Sequence, residues 1–189
     1  FIGRLEFEKG ADIAAEAARM VGRRLRVIGD GAFRRELEQR YPEVICEGWK
    51  SHDEISRLLQ EARFLAMPSR LPEPFGLVAH ESLQSGVPVV AFQSAFIANE
   101  AQELGCGIVA SAQNAESLAE AFAQLDCTDR VAEMSRTAFA LSPGLANTPE
   151  SWRNVLIGLY GDCLTGTMRP ATGFAHHRSL EINPSHQAV

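Results

Sequence analysis

Residues 64–92 read FLAMPSRLPEPFGLVAHESLQSGVPVVAF. An apolar run opens this stretch at Phe64–Met67, and another closes it at Val87–Phe92. Both runs are short and apolar at successive positions, which is typical of strands buried on both faces of a parallel sheet. Between them, Phe75–Gln84 is predicted to form a helix. A strand, a helix and a second strand in this order predict a βαβ unit.

The same alternation of apolar runs and helical patterns extends over most of the chain. Further candidate strands lie at Phe1–Gly3, Leu25–Ile28, Val44–Cys46 and Gly107–Ala110. Further candidate helices lie at about 9–21 and at Arg34–Arg40, Asp53–Ala62, Asn99–Leu104 and Ala115–Leu125. The pattern predicts an α/β fold with a doubly wound, mainly parallel, six-stranded Rossmann-like sheet. Such sheets bind ligands at the carboxyl ends of their strands.

The chain after residue 125 contains helical patterns but no further candidate strand. A spacing of three and one positions predicts an amphipathic late helix with one buried face, formed by Trp152, Val155, Leu156, Leu159 and Tyr160. From Thr165 onward the sequence is rich in Thr, Pro, Gly and His and has little periodicity. We therefore expect one domain over residues 1–164 and a flexible tail over residues 165–189.

Composition and charge narrow the class of protein. The formal net charge of −6 argues against non-specific nucleic-acid binding, because a phosphate backbone needs a basic face. The four cysteines form no Cys-x-x-Cys pair, so we expect neither a zinc site nor a disulfide framework, and a reducing cytoplasm fits best. No apolar run approaches the roughly 20 residues of a membrane span. The chain opens without methionine on what looks like the end of a strand, and we interpret it as a fragment of a longer protein.

Two glutamates, Glu73 and Glu81, enclose the segment that says most about function. Pro74 suits the first position of a helix, because its missing N–H costs nothing there. Glu73 is then expected on the loop before the helix, and Glu81 about two turns into it. The free N–H groups at the helix start would form a cradle for a phosphate, and they belong to Phe75, Gly76 and Leu77. Carboxylates on both sides of an anion site suit a ligand with phosphate and hydroxyl groups, such as a nucleotide-sugar.

Two basic residues follow the first candidate strand. Arg4 and Lys9 lie in a loop between Gly3 and Gly10, and glycine allows a ligand to approach the backbone closely. The sequence contains no Asp-x-Asp pair for a divalent ion, so a bound diphosphate would need its charge balanced by side chains. Arginine can fork onto phosphate oxygens, and lysine acts as a point charge. Standing alone, either residue would be interpreted as an ordinary solvated charge.

Three further signals have two interpretations each. Gly29-Asp30-Gly31 resembles part of a dinucleotide fingerprint, but position 34 is arginine, so a tight strand-to-helix turn is favoured. Glu81 either accepts hydrogen bonds from ribose hydroxyls or faces solvent on an amphipathic helix. Trp49 either stacks on a nucleobase or packs after a short strand.

Taken together, these segments resemble the C-terminal, donor-binding half of the family 4 (group 1) retaining glycosyltransferases of the GT-B fold. The pair of glutamates separated by seven residues is the most specific feature of the resemblance. The matching stretches cover nearly all of residues 1–125: Gly3-Arg4, Lys9-Gly10, Val27–Gly31, Gly48, Pro68-Ser69, Glu73–Gly76, Glu81 and Gly86–Ala91.

The resemblance implies roles for individual residues. Arg4 and Lys9 would hold the donor diphosphate and stabilise the charge of the leaving group. Glu73 would contact the donor sugar, and with the two basic residues it would form the catalytic set. Glu81 would bind the nucleotide ribose. The other donor-binding residues would be Gly3, Trp49, Phe75, Gly76 and Leu77. The resemblance also implies transfer with retention of configuration and without a metal or another cofactor.

The partners implied are a UDP-, GDP- or ADP-sugar donor and an N-terminal acceptor domain that is absent from this chain. The fragment is then expected to bind donor without transferring sugar. The full-length protein is expected in the cytoplasm, with association at the inner face of the membrane.

One segment departs from the family pattern. The Gly-Gly element expected after Ala91 is absent from residues 92–100, although Glu100 keeps an acidic residue near the expected position. Two alternatives therefore stay open beside the transferase. One is a non-catalytic nucleotide-binding or regulatory module, and the other is a sugar-nucleotide epimerase of GT-B architecture.

Overall fold

The computed structural model describes residues 1–145 and 149–165 of the 189-residue chain. It divides into two compact units, Phe1–Ala146 and Asn147–Val189. The predicted flexible tail falls, apart from its first residue, on positions outside the described residues, and it stays a prediction.

The first unit is an α/β fold built on parallel strands. Its strands are β1 Arg26–Ile28, β2 Ile45–Gly48, β3 Leu65–Met67, β4 Val89–Phe92 and β5 Gly107–Ala110. Its helices are α1 Ala11–Met20, α2 Arg34–Arg40, α3 His52–Gln60, α4 Leu77–Gln84, α5 Phe96–Glu103, α6 Ala115–Ala123 and α7 Thr128–Leu145. β1 pairs with β2, and the other three strands form a sheet of order β3-β4-β5. All these pairs are parallel, as predicted.

The predicted count of six strands is not found, because the first candidate strand forms a single bridge. Ile2 bridges Ile28 of β1 in parallel fashion. The Ile28 amide donates to the Phe1 carbonyl at 2.9 Å, and the Gly3 amide donates to the Ile28 carbonyl at 3.0 Å. Within the described residues no bridge joins this segment to β3. The strands therefore form one sheet of two and another of three.

The core of the first unit anchors the loop that follows Gly3. Small residues line the inner face of α1, where Ala11, Ala14, Ala15 and Ala18 are buried. They allow α1 to pack closely against α6, which buries Leu118. Leu5 is fully buried at the start of the loop itself. Burying a leucine side chain of this kind contributes about 1.5–3 kcal/mol, so the loop is anchored at Leu5 and at the start of α1.

Helix α4 begins later than predicted. The N-cap residue is Gly76 and not the residue before Pro74, and its backbone is left-handed, with φ 55° and ψ 40°. A Cβ atom at this position would lie 2.6 Å from Cγ2 of Ile97. The glycine is required both by its backbone conformation and by this close approach. Phe75 and Gly76 therefore lie in the loop, and the first helical residue is Leu77.

Helix α3 begins with a complete capping box. The Ser51 hydroxyl accepts a hydrogen bond from the Glu54 amide at 3.4 Å, and the Glu54 carboxylate accepts one from the Ser51 amide at 2.8 Å. These reciprocal bonds satisfy two donors at the helix start. They fix His52 as the first residue of α3, immediately after the loop that carries Trp49.

The second unit contains one helix in its described part, α8 Pro149–Thr165. The predicted late helix is therefore present. The predicted burial of one face is wrong, because the apolar side chains on this helix are exposed, with Trp152 at 52% and Leu156 at 42%. The spacing of apolar residues indicated the helix correctly, but it did not indicate what covers them.

Candidate functional site

The segment around Glu73 is held by the loop that follows β4. The Glu73 amide donates to the Ser94 carbonyl at 3.1 Å, and the Phe96 amide donates to the Glu73 carbonyl at 3.3 Å. The Ser94 hydroxyl also donates to the carbonyl of Ser69 at 3.3 Å. The loop after β3 and the loop after β4 are thereby joined at the carboxyl edge of their sheet, where the sequence predicts ligand binding.

The structure brings two of the predicted catalytic residues into contact. The Lys9 ammonium lies 2.5 Å from Oε2 of Glu73. The Ser69 hydroxyl donates to the same carboxylate oxygen at 3.2 Å. Both members of the ion pair are partly buried. Charge-assisted hydrogen bonds of this kind are short and strong, so each side chain fixes the position of the other.

The third predicted catalytic residue, Arg4, is exposed and forms no ion pair among the residues that the structure describes. Its loop rests on the turn after β1. A Cβ atom at Gly29 would lie 1.9 Å from the Gly3 carbonyl oxygen, and one at Gly31 would lie 2.4 Å from that of Leu5. The two glycines between β1 and α2 therefore allow the two loops to approach each other closely.

The backbone amides that were predicted to form a phosphate cradle lie at the start of α4, although this helix begins two residues later than predicted. Within the described part of the chain, no acceptor is found for the amides of Phe75, Gly76, Leu77 and Val78. The Val78 amide was missed by the sequence analysis, because the helix begins at Leu77. The side chains of Phe75 and Leu77 are exposed beside these amides. The start of α4 thus presents donors and a positive helix end to any anion that approaches.

The second glutamate lies beside a histidine that sequence reasoning missed. Oε1 of Glu81 is 3.8 Å from Nδ1 of His52, and the Glu81 side chain is 40% exposed. Trp49, three positions before the histidine, is 77% exposed. Such exposure leaves Trp49 without the packing role that was its alternative interpretation. The signal for His52 was available in the capping box at Ser51, which places it at the start of α3 and beside the loop of Trp49.

A second ion pair near the site was also missed. Arg70 binds Asp12 through two parallel hydrogen bonds, of 2.8 and 2.6 Å. Neither residue belongs to a motif, so no local pattern pointed to the pair. Asp12 lies in the alanine-rich start of α1, where the sequence pattern indicates only a helix.

Two cavities of the first unit lie away from these residues. One cavity of about 300 Å³ is lined by residues that include Leu25 and Leu65, and another of about 400 Å³ is lined by residues that include Gln102 and Met134. None of the predicted site residues lines either of them.

The described residues offer neither a cluster of metal ligands nor a helix that could span a membrane. In residues 1–145 and 149–165 there is no group of three or more His, Cys, Asp and Glu side chains that could hold a metal ion. In the same part of the chain, every helix is too short or too polar to cross a bilayer.

Comparison with known proteins identifies the family of this chain. The model of the family described as glycosyl transferases group 1 matches residues 1–126, and the chain belongs to this family. Its architecture is that of one half of a GT-B glycosyltransferase.

Three related proteins share 23–28% sequence identity with this chain. An uncharacterized glycosyltransferase of Methanocaldococcus jannaschii is 28% identical over 130 residues, which cover 66% of this chain and 37% of the relative. HepE of Anabaena, solved in complex with UDP, superposes with a TM-score of 0.66 at 23% identity, over 85% of this chain and 47% of HepE. Sucrose-phosphate synthase of Thermosynechococcus elongatus gives a TM-score of 0.69 at 25% identity, over 88% of this chain and 45% of the synthase. The chain thus spans less than half the length of each of these proteins.

Proposed function

We propose that this chain is the donor-binding half of a retaining glycosyltransferase, which transfers a sugar from a nucleotide-sugar to an acceptor hydroxyl. The observation that carries the proposal is the contact between Lys9 and Glu73 beside the open amides at the start of α4. A cation, a carboxylate and a set of free N–H donors meet on one surface. This combination suits a ligand in which phosphate and sugar hydroxyl groups are adjacent.

In this proposal Lys9 and Arg4 bind the diphosphate. Lys9 is held by Glu73 in the donor-free protein, whereas Arg4 is exposed. A diphosphate that binds at Lys9 competes with the Glu73 carboxylate for the three N–H donors of the lysine ammonium. The carboxylate of Glu73 is then available to accept hydrogen bonds from the sugar. As the bond to the sugar breaks, the two cations stabilise the charge that develops on the leaving phosphate.

The nucleoside end of the donor lies in this proposal between α3 and α4. The exposed ring of Trp49 offers a face for stacking on the base. Glu81 accepts hydrogen bonds from the ribose hydroxyls, and its oxygen atoms are accessible to them.

The donor is proposed to be a UDP-sugar, and binding is proposed to need no metal. Support for uridine comes from HepE, which has been solved with UDP and with UDP-glucose. Support for metal independence comes from the sequence, which has Arg4 and Lys9 after the first candidate strand and contains no Asp-x-Asp pair. We also propose a cytoplasmic location at the inner face of the membrane, on the basis of the cysteine usage and the family.

A non-catalytic nucleotide-binding module is the second candidate, and one observation favours it. The positions where the family has Gly-Gly are occupied by other residues, and Phe96 exposes a large side chain there. Against it, the same segment still forms the parallel bridge between Ala95 and Glu73. The backbone that supports the proposed sugar contact is therefore kept.

A panel experiment separates these functions. UDP-, GDP- and ADP-sugars and the free nucleoside diphosphates are titrated into the chain by calorimetry, and donor turnover is followed by NMR in a longer protein that includes the acceptor half. The proposal expects binding of one nucleotide class and acceptor-dependent transfer with retained configuration. Binding without turnover would support the non-catalytic module, and epimerised donor without transfer would support an epimerase. Binding of none of these nucleotides would refute all three.

A further inference from the structure

We propose that Arg70, held by Asp12, is a positioning residue that keeps the loop of Lys9 in the conformation that binds phosphate. This inference rests on the proposed function, and it adds two residues to which no role has been assigned. Arg70 does not need to touch the donor in this proposal. It acts through the backbone on which Lys9 stands.

Arg70 and Asp12 form a forked ion pair. Nη1 and Nη2 of Arg70 donate to the two carboxylate oxygens of Asp12 at 2.8 and 2.6 Å. Asp12 is only 9% exposed and lies in the first turn of α1, where the helix dipole favours a negative charge. A forked, partly buried pair of this kind has one well-defined geometry. Arg70 is thereby fixed against the start of α1.

The same arginine contacts the turn that carries Lys9. Nη1 of Arg70 also donates to the Phe7 carbonyl at 2.5 Å, and the Arg70 amide donates to the Glu8 carbonyl at 2.8 Å. Its guanidinium carbon lies 3.9 Å from the centroid of the Phe7 ring, within the range of a cation–π interaction. Phe7–Lys9 is a single 3₁₀ turn. Arg70 therefore holds the first residues of this turn by two carbonyls and one ring.

The end of the turn is held by the same neighbouring loop. Gly10 has a left-handed backbone with φ 72°, and a Cβ atom there would lie 2.1 Å from the Pro68 carbonyl oxygen. The turn thus packs directly on the residues that lead from β3 to Arg70. Lys9 lies between these two fixed points.

The arrangement matters because two links join the same two loops. One link is the pair of Lys9 and Glu73, and the other is the pair of Asp12 and Arg70. When a diphosphate binds Lys9, the ion pair between Lys9 and Glu73 is broken. The second link does not involve the donor site and stays in place. Arg70 and Asp12 then keep the lysine positioned while its partner changes, which is the preorganisation that binding and catalysis require.

A double-mutant cycle on UDP affinity tests this role. Arg70→Ala is expected to weaken UDP binding about tenfold in the natural background, a coupling of ordinary size for residues of one network. In the Lys9→Ala background the same change is expected to cost less than about twofold, because the residue through which Arg70 acts is gone. Equal losses in both backgrounds would overturn the proposal, since they would indicate direct contact with UDP or a general structural role.

Controls and milder variants keep the test decisive. Arg19→Ala removes another ion pair of α1, in which Nη2 of Arg19 donates to both carboxylate oxygens of Glu16, and it should leave UDP affinity unchanged. If Arg70→Ala does not fold, Arg70→Lys keeps the charge but loses the fork, and Asp12→Asn removes the carboxylate charge. Each should weaken UDP binding through Lys9 in the same cycle. A folded Arg70→Lys variant with natural affinity would contradict the proposal.

Hydrogen exchange separates this inference from the proposed function. Arg70→Ala should speed exchange of the Lys9 and Gly10 amides, which donate to Glu6 and Phe7 at 3.0 and 3.2 Å, while the amides of β4 keep their protection. This result is independent of any nucleotide. Unchanged exchange at Lys9 and Gly10 would refute the positioning role. Absence of UDP binding by the natural chain, with faster exchange in the variant, would refute the UDP site alone.

Discussion

Lys9 and Glu73 are 64 positions apart in the sequence, and the ammonium of one lies 2.5 Å from the carboxylate of the other. The contact joins the loop before α1 to the loop before α4. Ser69 donates to the same carboxylate, so Glu73 has two donors in the absence of any ligand. The proposed phosphate group and sugar group of the donor would thus bind to two residues that hold each other when the site is empty.

The first prediction separates the two glutamates. Glu81→Ala should weaken nucleoside diphosphate binding by about 1.5–3 kcal/mol, because a charged acceptor of ribose hydroxyls is lost. Glu73→Gln should not weaken this affinity, because the free diphosphate lacks the sugar that Glu73 is proposed to contact and because the change removes a competitor for Lys9. Calorimetry with the free diphosphate measures both, and thermal melting of each variant is the control for folding. Equal losses of affinity in the two variants would contradict the assigned roles.

The second prediction concerns the start of α4. Gly76→Ala combines a left-handed backbone with a Cβ atom 2.6 Å from Ile97, so it should destabilise the unit and disturb the amides of the cradle. Gly22→Ala is the matched control, because its φ is 63° and no atom lies within 4 Å of the added Cβ. The control should cost about 1–2 kcal/mol from backbone strain alone. Chemical denaturation should show a clearly larger loss for Gly76→Ala, and equal losses would mean that Ile97 moves aside freely.

The third prediction concerns the capping box of α3 and its dependence on pH. Ser51→Ala should destabilise the unit by about 1 kcal/mol, whereas Ser56→Ala, at an exposed position inside the same helix, should not. Hydrogen bonds from the Ser51 backbone and side chain lower the pKa of Glu54. The stabilisation from the carboxylate is therefore present above the ordinary pKa of glutamate and is lost as the pH falls through the lowered value.

Melting temperatures measured from pH 7 to pH 3 check this sign. The difference between the natural chain and Ser51→Ala should be largest at neutral pH and should shrink in acid. A difference that grows as the pH falls would show that the carboxylate of Glu54 does not take part in the cap.

Sequence reasoning located the elements that depend on local pattern. The runs at β3, β4 and β5 were found because they are apolar on both faces, which only buried parallel strands require. The start of α4 was placed too early, because Pro74 is a common first helical residue. The left-handed backbone of Gly76 and its close approach to Ile97 depend on how α4 meets α5, which no local pattern contains.

The sequence pointed to residues of the candidate site, but it did not indicate the contacts between them. Lys9 and Glu73 were each selected for separate reasons, and their ion pair depends on how two distant loops meet. Arg70 and Asp12 were missed for the same reason, since each is an isolated charge in the sequence. The count of six strands and the burial of the late helix were wrong because both depend on what packs beside a segment, and the pattern within a segment carries no such information.

The central claim is that this surface binds a nucleoside diphosphate through Lys9 without a metal. Its most direct test is calorimetric titration of UDP, GDP and ADP into the natural chain, Lys9→Ala and Arg19→Ala, all in EDTA. We predict that one diphosphate binds the natural chain and Arg19→Ala equally, and that Lys9→Ala binds it at least about tenfold more weakly, as expected for a lost charge-assisted hydrogen bond. Binding that appears only with Mg²⁺ or Mn²⁺, or equal affinity in all three proteins, would contradict the claim.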